Sequence, residues 1–88
     1  MEVIIERHAR FEAERRGITE EIIKSAVKNP QQKLSSQKGR VIVQNKYYDS
    51  MEGKEMLLRI IGIDTSEKFN VITVYKTSKI TKYWVEGG

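Results

Sequence analysis

The spacing of apolar residues along this chain changes character once, near residue 33, from helical stripes to strand-like alternation. Residues 2–5, Glu-Val-Ile-Ile, are apolar and β-branched and predict a short opening strand. Residues 6–16 are rich in Glu, Arg and Ala and free of Gly and Pro, which predicts a helix. Gly17 stands where a left-handed C-terminal cap belongs, with Ile18 placed to close a hydrophobic contact behind it. Thr19 can cap a second helix through its hydroxyl, and Glu20 and Glu21 follow where the helix dipole favours negative charge. Ile22, Ile23, Ala26 and Val27 form one apolar stripe on that helix. Asn29-Pro30 ends it, because the residue before a proline resists the helical conformation.

Strand patterns follow. Residues 33–37 predict a short strand, joined through Lys38-Gly39 to a longer one over 40–48. Residues 49–54 are polar and contain Gly53, so they predict a loop. Residues 56–63 and 69–76 predict two further strands about a turn at 64–68. The connections are short, which favours an antiparallel meander. Residues 77–84 fit either a strand extension or a helical turn. The pattern thus predicts an α+β domain in which two N-terminal helices pack on one face of an antiparallel three- to four-stranded sheet. Alternation assigns Leu58, Ile60, Ile72 and Val74 to the helix-covered face, and Arg59, Thr73 and Tyr75 to the other.

The length, 88 residues, suits a single domain over 1–88 with one core. There is no cysteine, which excludes disulfides, thiolate zinc sites and cysteine nucleophiles. Residues 1–11 are charged and lack the apolar run of a signal peptide. The apolar stretch 56–63 is broken by Arg59 and too short to span a bilayer. The expectation is a cytoplasmic protein with no membrane partner.

Net charge is +4, and it is unevenly placed. Residues 1–21 carry six acids against four arginines, whereas residues 24–46 carry six basic residues and no acid. A second acid-free stretch, 68–82, holds four lysines. This asymmetry steers a polyanion toward one surface, unless it is simply a solvated lysine face.

Candidate chemistry is sparse. His8 is the only histidine, and the reference pKa of the imidazole, ~6.5, suits general acid–base work. Its alternative is a histidine that caps or packs between helix and sheet. Helical spacing puts Glu12 and Arg15 on its side of the helix. Arg40 and Arg59 fall within predicted strands, where a guanidinium either grips a phosphate in bidentate fashion or pairs with a carboxylate. Tyr75, Lys79, Lys82, Tyr83 and Trp84 interleave cations with aromatics, as a nucleic-acid surface does, although the aromatics could equally close the core. Lys38, Lys79 and Lys82 are the candidate nucleic-acid-binding lysines. One histidine among scattered acids gives no metal-ligand spacing, Gly-rich phosphate loops are absent, and no cofactor is called for.

Together, His8-Ala9, Arg16-Gly17-Ile18-Thr19, Asn29-Pro30, Gly39-Arg40 and the run from Val71 to Lys79 resemble a family of small prokaryotic domains of unknown function, itself similar to the RelE and BrnT superfamily of toxins. Glu12 and Ala13 stand where the first helix of that family carries basic and methionine residues. The resemblance implies a RelE-like fold, a metal-independent ribonuclease activity and an antitoxin-like protein partner. In such toxins the RNA 2′-hydroxyl attacks the adjacent phosphate, and by position His8, Arg40, Arg59 and Tyr75 become the catalytic candidates. Proton transfer by a positioned group contributes roughly 10²–10⁴-fold, and fixed cations stabilise the developing phosphorane. The same basic stretches fit a non-catalytic module that binds nucleic acid or protein, such as a degenerate toxin relative. The two readings differ in one requirement: catalysis needs a base and two cations at a single phosphate.

Overall fold

The computed structural model describes residues 1–87. Its elements are β1 (Glu2–Ile5), α1 (Arg7–Arg15), α2 (Glu20–Lys28), β2 (Gln32–Ser35), a single 3-10 turn at Gln37–Gly39, β3 (Val41–Asp49), β4 (Lys54–Asp64), β5 (Lys68–Thr77) and α3 (Ile80–Tyr83).

The helix signals act as the sequence predicts. Gly17 adopts φ +70°, Ile18 N donates to Ala13 O at 2.8 Å and Gly17 N donates to Glu14 O at 3.3 Å, which together close α1 in a Schellman motif. The Met51 sulfur lies 2.7 Å from where a Cβ on Gly17 would stand, so a side chain there would displace the exposed Met51, and the positive φ is what calls for glycine. The Thr19 hydroxyl accepts from Ile22 N at 3.2 Å and caps α2. Ala9 and Ala13 of α1 and Ile23, Ala26 and Val27 of α2 are buried against Val43, Leu58, Ile60, Phe69, Val71 and Val74 of the sheet. This layer is the core.

The sheet departs from expectation. It has five strands in the order β1-β5-β4-β3-β2, and it is mixed, because β1 runs parallel to β5. Short loops dictate the antiparallel meander from β2 to β5, but they say nothing of β1, whose partner arrives 66 residues later (Val3 beside Phe69). Backbone bonds from Glu2 N to Glu67 O and from Glu6 N to Val71 O fix it on the outer edge of β5. The helices are also not confined to one face. Residues 77–84 end β5 and form α3, and Gln44, a residue of the face opposite the core, donates to Tyr83 O from beneath it.

A register shift between Ile61 and Gly62 corrects the face assignment as well. Ile60 pairs with Val74 before the shift and Gly62 with Val71 after it, so Val71, not Ile72, enters the core beside Phe69. The irregularity inserts one residue into β5 and reverses its alternation there.

β3 outruns β2 beyond Gln44. Past that point the Gln31 side chain takes the place of a strand residue: its Nε2 donates to Lys46 O at 3.2 Å and its Oε1 accepts from Lys46 N at 2.9 Å.

At the loop end of the sheet, Lys76 Nζ meets Asp49 Oδ2 at 2.7 Å, with both side chains under a tenth exposed. The ammonium chiefly, helped by the Glu52 and Met51 amides and the Tyr47 hydroxyl, lowers the Asp49 carboxyl to about 2 against the upward push of burial. Burial first, then this carboxylate, holds the Tyr47 phenol protonated well above its ordinary range. Because the folded value of Asp49 lies below its ordinary 3.8, its contribution to stability is complete above that pH and vanishes as pH falls through about 2. In an acid titration the thermal midpoint should fall below about pH 4, and Asp49→Asn, already weakened at neutral pH, should lose less over the same interval. Equal acid losses in both proteins would refute this assignment.

Candidate functional site

The face that α1 and α2 leave uncovered is organised in rungs that cross the strands at matched register. One rung is Leu34–Ile42–Ile61–Thr73, and the next is Gln32–Gln44–Arg59–Tyr75. A third, Lys46–Leu57–Thr77, follows.

The second rung is a chain of hydrogen bonds. Arg59 Nε donates to Gln44 Oε1 at 2.9 Å and Arg59 Nη1 donates to the Tyr75 hydroxyl. Gln44 Nε2 donates to Gln32 Oε1 at 2.7 Å and to Tyr83 O at 2.9 Å. Gln44 is fully buried, and both ends of its amide are engaged, as a buried carboxamide requires. Gln32 in turn holds the chain beyond α3: its Nε2 donates to Val85 O at 2.7 Å and its Oε1 accepts from Val85 N at 3.2 Å. Residues 83–85 are thus strapped across the sheet by two glutamines.

Two cations lie on the aromatics of that strap. The Arg59 guanidinium stands 4.2 Å from the Tyr83 ring centre, and the Lys46 ammonium 4.0 Å from that of Trp84. These ring faces therefore hold cations, where the sequence offered either platforms for bases or closure of the core.

Arg59 is half-buried, yet no carboxylate lies within ion-pair distance of it among the described residues. A guanidinium offers five N–H donors. Gln44 and Tyr75 use one each, which leaves the remainder unmatched by protein. Tyr75 accepts from Arg59 and keeps its own hydroxyl proton to donate. A fixed fork of donors carrying an unneutralised charge is complementary to a phosphate.

Of the four residues named as catalytic, the structure joins Arg59 and Tyr75 only. His8 is exposed on the first turn of α1, on the helix-covered side of the sheet. Arg40 is exposed and extended immediately before β3, four residues or ~13 Å of strand from Gln44. Lys38 lies in the 3-10 turn with φ 59°, Lys79 precedes α3 and Lys82 is on it, 5.3 Å from the Tyr83 ring centre. All three are exposed. None of these five basic residues, Lys38, Arg40, Arg59, Lys79 and Lys82, has a carboxylate partner among the described residues, a property they share with Arg7, Lys28, Lys46, Lys54 and Lys68.

Sequence reasoning missed Gln32 and Gln44, because glutamine carries no catalytic signature. The available signal was a polar Gln44 on the same strand face as Ile42, where burial would demand hydrogen-bond partners.

Two cavities, of about 300 and 330 Å³, open on the helix side. The first lies between α2 and the sheet over Ile22, Ala26 and Leu58, and the second between α1 and α2 over Ala13, Ile18 and Ile23. Glu21, Ser25, Asn45 and Lys46 also line the first, and Arg10 at the second is neutralised by Glu20. The linked chain of side-chain hydrogen bonds lies on the opposite face, around Arg59. Among the described residues no cluster of His, Asp and Glu could hold a metal ion, and no helix is long and apolar enough to cross a membrane. Comparisons with protein-family models, curated proteins and solved structures find no match to this chain.

Proposed function

We propose that this protein binds nucleic acid through its phosphates, on the sheet face around Arg59, and does not cleave it. The observation that carries this reading is the half-buried Arg59, oriented by Gln44 and Tyr75, stacked on Tyr83 and facing no acid. Lys82, 5.3 Å from the Tyr83 ring centre, adds unpaired charge beside it, and Arg40 adds more before β3 on the same face, which favours a polyanion over a small anion. Binding is preferred to catalysis because the groups beside Arg59 are an amide and two phenols. The histidine is on the far side of the sheet, so its imidazole cannot act as the base for a phosphate held by Arg59.

Fluorescence anisotropy with a short labelled oligonucleotide tests this. The logarithm of affinity should fall linearly with the logarithm of salt concentration. Arg59→Ala should weaken binding roughly tenfold and reduce that slope by about one, as expected for one lost phosphate contact. His8→Ala should leave both unchanged. Cleavage of the labelled RNA, or affinity indifferent to salt, would remove the reading.

A further inference from the structure

We infer that the nucleic acid is a single strand, and that the aliphatic rung Leu34–Ile42–Ile61 is the floor on which its bases lie. This rests on the reading of Arg59 as a phosphate contact. The uncovered face holds an apolar patch that the fold itself does not bury: Leu34, Ile42 and Ile61 are half-buried, and Ile63, one position beyond the register shift, is 42% exposed. Cations flank this patch. The rung of Arg59 lies on one side. On the other is Arg40, extended at φ −89° and ψ 158°, which alternation places on the same face as Ile42 and Gln44. Neither arginine has an acidic partner among the described residues.

Cation, apolar floor, cation is the order of phosphate, base, phosphate along a strand. A duplex keeps its bases stacked inside and offers a flat surface mainly its charged backbone. Laid across Ile42 and Ile61, that backbone would be stripped of water with nothing gained. A single strand can turn its bases onto the floor, and every base has an apolar face, so the contact is indifferent to sequence. A protein partner that covered the same patch would need acids facing both arginines, whereas a single strand carries its negative charge at every nucleotide.

The test uses the full chain and three probes: a single-stranded oligonucleotide, its duplex, and inorganic polyphosphate. Wild type should bind the single strand roughly tenfold more tightly than either other probe. Ile42→Ser and Ile61→Ser should each weaken single-strand binding roughly fivefold and leave polyphosphate unchanged, whereas Arg59→Ala should weaken all three. Circular dichroism and melting establish that each variant folds. Should a core-adjacent serine fail to fold, Leu34→Ser on the edge strand β2 makes the same test. If the serine variants keep the wild-type ratio of single strand to duplex while Arg59→Ala still weakens binding, the aliphatic floor is wrong and the phosphate contact stands. If Arg59→Ala changes nothing, both fall. A dimer in sedimentation that Ile42→Ser dissociates would give the patch to a second copy of the chain and overturn the inference.

Discussion

Gly62→Ala should destabilise the domain by about 3 kcal/mol, out of the roughly 4–13 kcal/mol that a chain of this length typically holds. Gly62 is buried in β4 at the register shift, and a Cβ there would stand inside van der Waals contact of both the Asn70 carbonyl oxygen and the Phe69 ring. The two obstacles differ in kind. Phe69 is a side chain, 1% exposed and packed in the core, whereas Asn70 O is backbone held in the central ladder and also beside β1. Adding Phe69→Leu should therefore recover only part of the loss, because the ring can be removed and the carbonyl cannot. Urea unfolding of the two single variants and the double variant measures this as a coupling between neighbours. A Gly62→Ala midpoint equal to that of wild type would show that β4 and β5 are not so closely apposed.

Gln44→Glu should reduce oligonucleotide affinity at least tenfold at neutral pH and also destabilise the fold by about 2 kcal/mol. The new carboxylate would sit against Arg59 Nε, 2.9 Å away in the wild type, and neutralise the charge that the proposed phosphate contact relies on. It would also present oxygen where Gln44 Nε2 now donates to Gln32 Oε1 and Tyr83 O. Two acceptors would then face an anion, and the strap over the sheet should loosen. Because Gln44 and Glu differ in a single group, the experiment separates charge from shape: Gln44→Leu should loosen the strap while leaving Arg59 charged and its affinity less affected. Equal affinity of Gln44→Glu and wild type would mean that Arg59 does not carry the binding.

What the sequence disclosed is mostly local. Gly17 and Ile18 close α1, Thr19 opens α2 and Asn29-Pro30 ends it, because each acts through bonds to residues within one helical turn. The four strands of the meander were legible through their alternation, and so was the sharing of one face by Arg59 and Tyr75, which register then placed side by side. The partner of β1 was not, since pairing Glu2–Ile5 with Lys68–Val71 depends on the whole intervening chain. The register shift at Gly62 put Val71 rather than Ile72 in the core, and a lone glycine in a strand pattern only hints at such an irregularity. His8 and Arg40 were grouped with Arg59 on the strength of a resemblance, and distance along and across the sheet separates them. Gln44 matters through burial, which residue type alone does not reveal.

The Gln31 carboxamide has a consequence beyond local bonding. A strand margin with free amide and carbonyl groups invites a strand from another molecule, and a protein concentrated along a polyanion would meet its own copies often. At Lys46 both groups are already taken by a side chain that mimics a neighbouring strand and carries no further backbone to propagate the ladder. The β3 margin is thereby terminated chemically, so crowding on a shared ligand need not end in edge-to-edge polymerisation there.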